Sequence, residues 1–268
     1  MCVVYEKKGH IAYIKYDRPK DRNAFSPELI VKMARVLDTI DADNDVWVII
    51  LGSTTPGIFS AGMDLKLTIP LKTGARQPQD EYDHAILNNP DLFMRGALKA
   101  KETDRPIIAA IDGYCMAGGL EAVMSTDIRV ATQRSSFALP EVKVGIVAAG
   151  GGLSKLARQI PYAKALEMHL TGRIFSAQEM LNLGFLNALV EHEEDLWPKA
   201  EEYAQIITEN APLAVRVAKQ ALKKCLGQPL EEALKIEGEE SKRLRFTEDA
   251  REGPRAFVEK RKPRWKAK

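Results

Sequence analysis

The 268-residue chain is 45% hydrophobic and 28% charged, the balance of a soluble globular protein with a sizeable core, which excludes a disordered chain and a coiled coil. Thirty-nine Lys and Arg against 37 Asp and Glu leave a formal charge of +2, too near neutrality for a general nucleic-acid or membrane binder. Cys2, Cys115 and Cys225 are odd in number and far apart, so neither a disulfide framework nor a CxxC metal site is available, and MCVVYEKKGH has no basic start leading into a long apolar run; the expected compartment is the cytoplasm.

The first predicted element is a strand over 10–16, where apolar residues alternate with a period near two until Asp17-Arg18-Pro19 stops them. Ser26-Pro27-Glu28 then starts a helix, with Ser26 as N-cap and Pro27 in the first turn, and LIVKMARVLDTID continues it at helical spacing. The runs 46–52 and 106–113 are continuously apolar and end in glycine, as strands buried on both faces do. Strand, helix and strand predict an α/β layer. Residues 67–86, with two prolines, a glycine and mixed charge, read as an irregular segment, either a lid or binding loop or a surface excursion. Beyond about residue 140 the pattern is helical, with 185–191 resembling one further strand. The helices of the last third either cover a neighbouring subunit or fold back on their own core. The basic tail 259–268 is either a solvated end or a partner for phosphate.

Three segments carry chemistry. Ser60-Ala61-Gly62-Met63-Asp64-Leu65 follows a buried strand, and its small residues make either a plain tight turn or a corner with free amides. Ala117-Gly118-Gly119-Leu120-Glu121 also follows a buried strand and opens a largely apolar helix, where bare amides favour negative charge and a carboxylate in apolar company is costly without a task. Glu141, just after Pro140, is a second acid among apolar residues, followed by the glycine-rich start Gly150-Gly151-Gly152. No GxxxxGK[ST] or GxGxxG pattern is present, which takes support from nucleotide hydrolysis and nicotinamide binding. His10, His84, His169 and His192 form no HxxxH or HExxH arrangement, so no metal is expected. Two amide-rich corners and two glutamates suit a reaction with a stabilised oxyanion and paired carboxyl groups for proton transfer.

FSAGMDLK, DGYCMAGGLEAVMSTDIRVAT, FALPEVKVGI and LTGRIFSAQEMLNLGFLNALV resemble consecutive signature blocks of the enoyl-CoA hydratase/isomerase (crotonase) family, and the similarity runs from the strand 10–16 and RPKDRNAFS to EGPRAFVEKRKPRW. The resemblance, most pronounced to the two-glutamate hydratases, implies an α/β fold: a spiral of ββα units over 1–195 holding the coenzyme A and active sites, and a helical C-terminal region over 196–268 that builds trimers or dimers of trimers. It implies an oxyanion hole from the Met63 and Gly118 amides, Glu121 as the base that activates water and Glu141 as the acid. The coenzyme A portion of the substrate would lie along Arg22, Ala24, Ala61, Asp64 and Leu65, with Lys20 an alternative phosphate partner and Phe257 and Lys260 completing the pocket from a neighbouring subunit. The activity implied is hydration of a 2-enoyl-CoA to a 3-hydroxyacyl-CoA without a separate cofactor. Isomerisation of a 3-enoyl-CoA, or hydrolase or lyase action on an unusual aromatic or alicyclic acyl-CoA, are the alternatives on the same scaffold. Two departures from the family pattern stand out: Ala117 where glycine is common, and Ala148-Ala149 in place of Pro-Gly, with Ala149 at the position that helps hold the water.

Overall fold

The apolar runs predicted as strands at 46–52 and 106–113 lie side by side, and the chain winds around them as a spiral. The computed structural model describes residues 2–99 and 103–268. Its first part contains β1 (Val3–Lys8), β2 (Ile11–Tyr16), α1 (Pro27–Ala42), β3 (Val48–Ser53), β4 (Ile58–Ser60), α2 (Thr68–Thr73), α3 (Glu81–Asn88) and α4 (Pro90–Gly96). Next come β5 (Ile107–Ile111), β6 (Tyr114–Met116), α5 (Gly118–Val123), β7 (Ile128–Thr132), β8 (Ser136–Ala138), a 3₁₀ turn at Pro140–Val144, α6 (Gly152–Lys155), α7 (Tyr162–Thr171), β9 (Phe175–Ser176), α8 (Ala177–Asn182) and β10 (Ala188–Val190). The helices α9 (Leu196–Thr208), α10 (Pro212–Cys225), α11 (Leu230–Lys242) and α12 (Glu248–Val258) complete the chain.

Three successive strand pairs, β3/β4, β5/β6 and β7/β8, each place one strand in a large sheet and the next in a small one. The large sheet has the order β1-β2-β3-β5-β7-β10 and is parallel except for the β1/β2 hairpin. The small sheet has the order β4-β6-β8-β9, with β4, β6 and β8 parallel. Because side chains alternate across a strand, Ile49 and Leu51 of β3 join the main core while Val48 and Ile50 face the other side. That second face is covered by α9 through Leu196, Ala200 and Ala204, so the helix that follows residue 195 folds back onto the sheet. Helix α1 begins as its sequence predicts, with Ser26 Oγ accepting from Leu29 N at 3.2 Å, and buries Leu29, Ile30, Met33, Leu37 and Ile40.

Residues 67–86 depart from the irregular segment expected of them, since most fold into α2 and α3. Asp80 Oδ1 caps α3 by accepting from the Tyr82 and Asp83 amides, and Arg76 grips Asp83 through two hydrogen bonds of 2.6 and 2.7 Å. Both partners of that clamp are largely shielded from solvent, which ties the loop after α2 to α3 within the segment. Among the described residues no helix is long and apolar enough to cross a membrane.

Candidate active site

The small sheet positions the chemistry. Its three adjacent parallel strands, β4, β6 and β8, end in 61–63, 117–119 and 139–141, so three segments far apart in sequence emerge at one edge. Parallel neighbours lie about 4.8 Å apart, which puts their strand ends within reach of a single small molecule. Ala117 N donates to Ala138 O at 2.9 Å, tying the second corner to the third. The first corner is tied to the loop after β2: Phe25 N donates to Gly62 O at 2.7 Å and Ala61 N to Arg22 O at 2.9 Å.

The two amide-rich corners touch. A Cβ added to Gly62, whose φ of +92° favours glycine, would lie 2.7 Å from Gly118 N, and one added to Gly118 would lie 3.2 Å from Met63 N. Met63 N and Gly118 N donate to no acceptor among the described residues, and both residues line one cavity of about 550 Å³. Two unengaged main-chain donors side by side can hold an oxyanion without reorganising. Ala117 caps this helix at φ 50°, ψ −128°, a strained conformation for a residue with a Cβ, which gives a physical reason for glycine being common there in the resembling family.

Glu121 and Glu141 line that same cavity. Glu121, 4% exposed in the first turn of α5, accepts at Oε1 from Gly150 N (2.5 Å) and Gly152 N (3.1 Å). A Cβ on Gly150 would lie 2.3 Å from Glu121 Oε2, so the glycine is required by close approach. Glu141 is also buried, and its Oε2 has no hydrogen-bond partner. Burial, with the neighbouring charge of Glu121 adding to it, raises the Glu141 carboxyl to about 7, despite opposing effects of its own backbone amide and Lys99. The two acids are thus unlike: Glu121 Oε1 is held by two main-chain donors, whereas Glu141 Oε2 has no partner and its carboxyl is poised to carry a proton near neutrality. Ala149 also lines the cavity, but its amide is already engaged, donating to Val147 O at 2.9 Å.

Ala61 and Leu65 line the cavity, whereas Asp64 is turned into the protein. Arg18 Nη1 donates to Asp64 Oδ2 at 2.6 Å, and the Lys66 and Leu67 amides donate to Oδ1 at 2.9 Å each. Burial works against the ionised Asp64, but Arg18 and these two amides outweigh it and hold the carboxyl below its usual range. Asp64→Ala is therefore expected to destabilise the fold by roughly 2–4 kcal/mol by leaving a partly buried arginine without this partner, read as a lower urea midpoint at unchanged slope. Arg22 is exposed, and Ala24, whose carbonyl accepts from Arg18 at 3.0 Å, sits beside the first corner; neither lines the cavity. Lys20, Phe257 and Lys260 do not line it either, and Phe257 is 85% exposed on α12.

Sequence reasoning missed Asn23, which is fully buried and donates from Nδ2 to Ser53 Oγ and to the Ile58 and Phe59 carbonyls, fastening the RNAF loop to β3 and β4. It also missed Lys72, Phe93 and Lys99, which line the same cavity. Cys115 is fully buried with its thiol pushed up by burial, and His84 is exposed on α3 outside the cavity.

A family profile described as enoyl-CoA hydratase/isomerase matches residues 6–268. Enoyl-CoA hydratase EchA19 of Mycobacterium tuberculosis is 36% identical over 258 residues, covering 96% of this chain and 94% of the relative. A short-chain-enoyl-CoA hydratase of Clostridium acetobutylicum is 34% identical over 260 residues, covering 97% and 95%. The crystal structure of an enoyl-CoA hydratase/isomerase from Mycobacterium paratuberculosis superposes with a TM-score of 0.89 at 35% identity, covering 100% of this chain and 99% of that one.

Proposed function

Because the chain belongs to the enoyl-CoA hydratase/isomerase (crotonase) family and has its fold, we propose that it adds water across the 2,3 double bond of a 2-enoyl-CoA thioester to give a 3-hydroxyacyl-CoA. The observation that carries this reading is that two unlike carboxyl groups, Glu121 and Glu141, line one cavity with the unengaged amides of Met63 and Gly118.

In this reaction the Met63 and Gly118 N–H groups donate to the thioester oxygen and draw electron density from C3. Ionised Glu121, fixed by Gly150 and Gly152, takes a proton from water as the water oxygen bonds to C3. The π electrons pass to the carbonyl oxygen as an enolate, which reforms the thioester as C2 accepts the proton of Glu141. One proton then passes from Glu121 to Glu141 and resets the pair. The addition changes no net oxidation state, so the reading calls for no redox cofactor, and the Met63 and Gly118 amides supply the carbonyl polarisation that a Lewis acid would otherwise give; coenzyme A is part of the substrate. Isomerisation needs only one acid, and the retention of both favours hydration.

The coenzyme A moiety leaves the cavity by Ala61 and Leu65, with Arg22, Ala24 and the Asp64 backbone along its path, and Phe257 and Lys260 reach it from a neighbouring subunit. A homo-oligomer, a trimer or dimer of trimers, accompanies this reading and is supported by the exposed Leu222, Leu226, Leu230 and Leu234 of α10, α11 and their connection. The three unpaired cysteines suit a cytoplasmic location.

A panel of 2-enoyl-CoA esters graded in length tests the proposal through loss of the conjugated thioester absorbance. Turnover is expected, and its absence across the panel overturns hydration. Absorbance gained from a 3-enoyl-CoA would mark an isomerase, and free thiol a hydrolase. Since Glu141 must enter protonated and titrates at about 7, kcat/KM is expected to fall as pH rises above that value, with one proton lost.

A further inference from the structure

Resting on the acyl-CoA reading above, we infer that the acyl group of the substrate carries its own carboxylate beyond C3, received by the ammonium groups of Lys72 and Lys99. With the thioester oxygen at Met63 and Gly118 and C2 and C3 between the glutamates, the rest of the acyl group has to be accommodated by the same cavity, which Lys72 and Lys99 also line. Lys99 Cε and Glu121 Oε2 both lie within 2.6 Å of the point where a Cβ on Gly150 would sit, so the Lys99 side chain is a neighbour of the reacting atoms.

Both ammonium groups gather on one aromatic ring. Lys72 Nζ lies 3.7 Å and Lys99 Nζ 5.4 Å from the centroid of buried Phe93. The lysines come from separate elements, α2 and the turn after α4, and their shared location is a product of the fold. Among the described residues neither has an acidic partner within 4 Å. Lys72 is exposed and Lys99 half-buried, while the surrounding wall, with Ile69, Val144, Ile146 and Val147, is apolar. Burial and the charge of Lys99 both weaken the hold of Lys72 on its proton. A neutral chain entering here would strip water from two like charges and give them nothing in return. A carboxylate would bridge them through charge-assisted hydrogen bonds and cancel their repulsion. The substrate class that fits is the mono-CoA thioester of an unsaturated dicarboxylic acid.

The test compares kcat/KM for such a thioester with that for an unsubstituted 2-enoyl-CoA of equal carbon count. A preference of at least about tenfold for the dicarboxylic ester is expected, the size of one charged hydrogen bond, shrinking as salt is raised. Lys72→Gln and Lys99→Gln should each lower that ratio about tenfold, with Lys72→Arg and Lys99→Arg retaining most of it. Calorimetric binding of the saturated counterparts, a dicarboxylic mono-CoA ester and a plain acyl-CoA, removes dependence on turnover. If neither enoyl ester is hydrated but the saturated dicarboxylic ester still binds preferentially, the hydratase reading falls and this inference stands. Hydration of both esters without preference overturns the inference alone. Equal losses on both esters in the Gln variants also overturn it, by assigning the lysines to coenzyme A phosphates or to folding.

Discussion

Glu121→Gln is expected to lower kcat for hydration about 10²–10⁴-fold while leaving the affinity for a saturated acyl-CoA nearly unchanged. The amide oxygen of Gln can still accept from Gly150 and Gly152, so the helix start and the cavity wall are kept, but the group no longer takes a proton from water. Glu141→Gln should cost a comparable factor for the opposite reason, since an amide resembles the protonated acid in shape and cannot release its proton to C2. The two variants separate through stability. Glu141 carries a carboxyl raised by burial from the ordinary 4.5 to about 7, so the native state holds its proton more tightly than the unfolded chain does. Its contribution is full below the unfolded value and is lost as pH rises through about 7. Glu141→Gln lacks that loss, and at pH 8 it should exceed the parent by on the order of 2 kcal/mol, after allowance for solvent screening. An inactive variant that is more stable than its parent is not explained by misfolding. Near-normal turnover in either variant would remove that glutamate from the mechanism.

Gly62→Ala is the second large effect. The substitution leaves both glutamates untouched and acts on the main-chain donors alone. Its methyl would meet Gly118 N at 2.7 Å, the Ala117 methyl at 2.8 Å and Met116 O at 2.9 Å, and the residue would be held at a φ of +92°. None of those neighbours is the end of a flexible side chain, so the two corners must part. Losing one oxyanion donor costs about 10²–10³ in kcat, and that is the loss expected here with substrate binding weakened far less. The absorbance assay at saturating substrate reads it, with circular dichroism to verify that the fold survives.

The chemistry of the site is legible in the sequence at the level of segments. Ser60–Leu65, Ala117–Glu121 and Glu141 stand out because small residues and buried acids at strand ends violate ordinary patterning, and functional sites are where such violations belong. Their meeting is not legible from residue patterns. It depends on β4, β6 and β8, three residues each, too short for any period-two signal, and on their adjacency in a sheet whose neighbours are not consecutive in the chain. The long runs of β3 and β5 were readable because both faces are buried. The segment 67–86 misled because its helices are a turn or two long and rest on tertiary contacts such as Arg76 with Asp83; the small-scale signals were Asp80, and beyond it Asn89-Pro90, at helix starts. Lys72 and Lys99 carry no mark at all in the sequence, since a lysine on a short helix or in a turn ordinarily faces water. Only the fold brings them to one phenyl ring.

Infrared difference spectroscopy of a saturated acyl-CoA labelled with ¹³C at the thioester carbon asks most directly whether the Met63 and Gly118 amides grip the carbonyl oxygen. The carbonyl stretch of the bound ester is expected well below its frequency in water, and Gly62→Ala should return it toward the solution value. A bound ester whose carbonyl absorbs where the free one does would contradict the account.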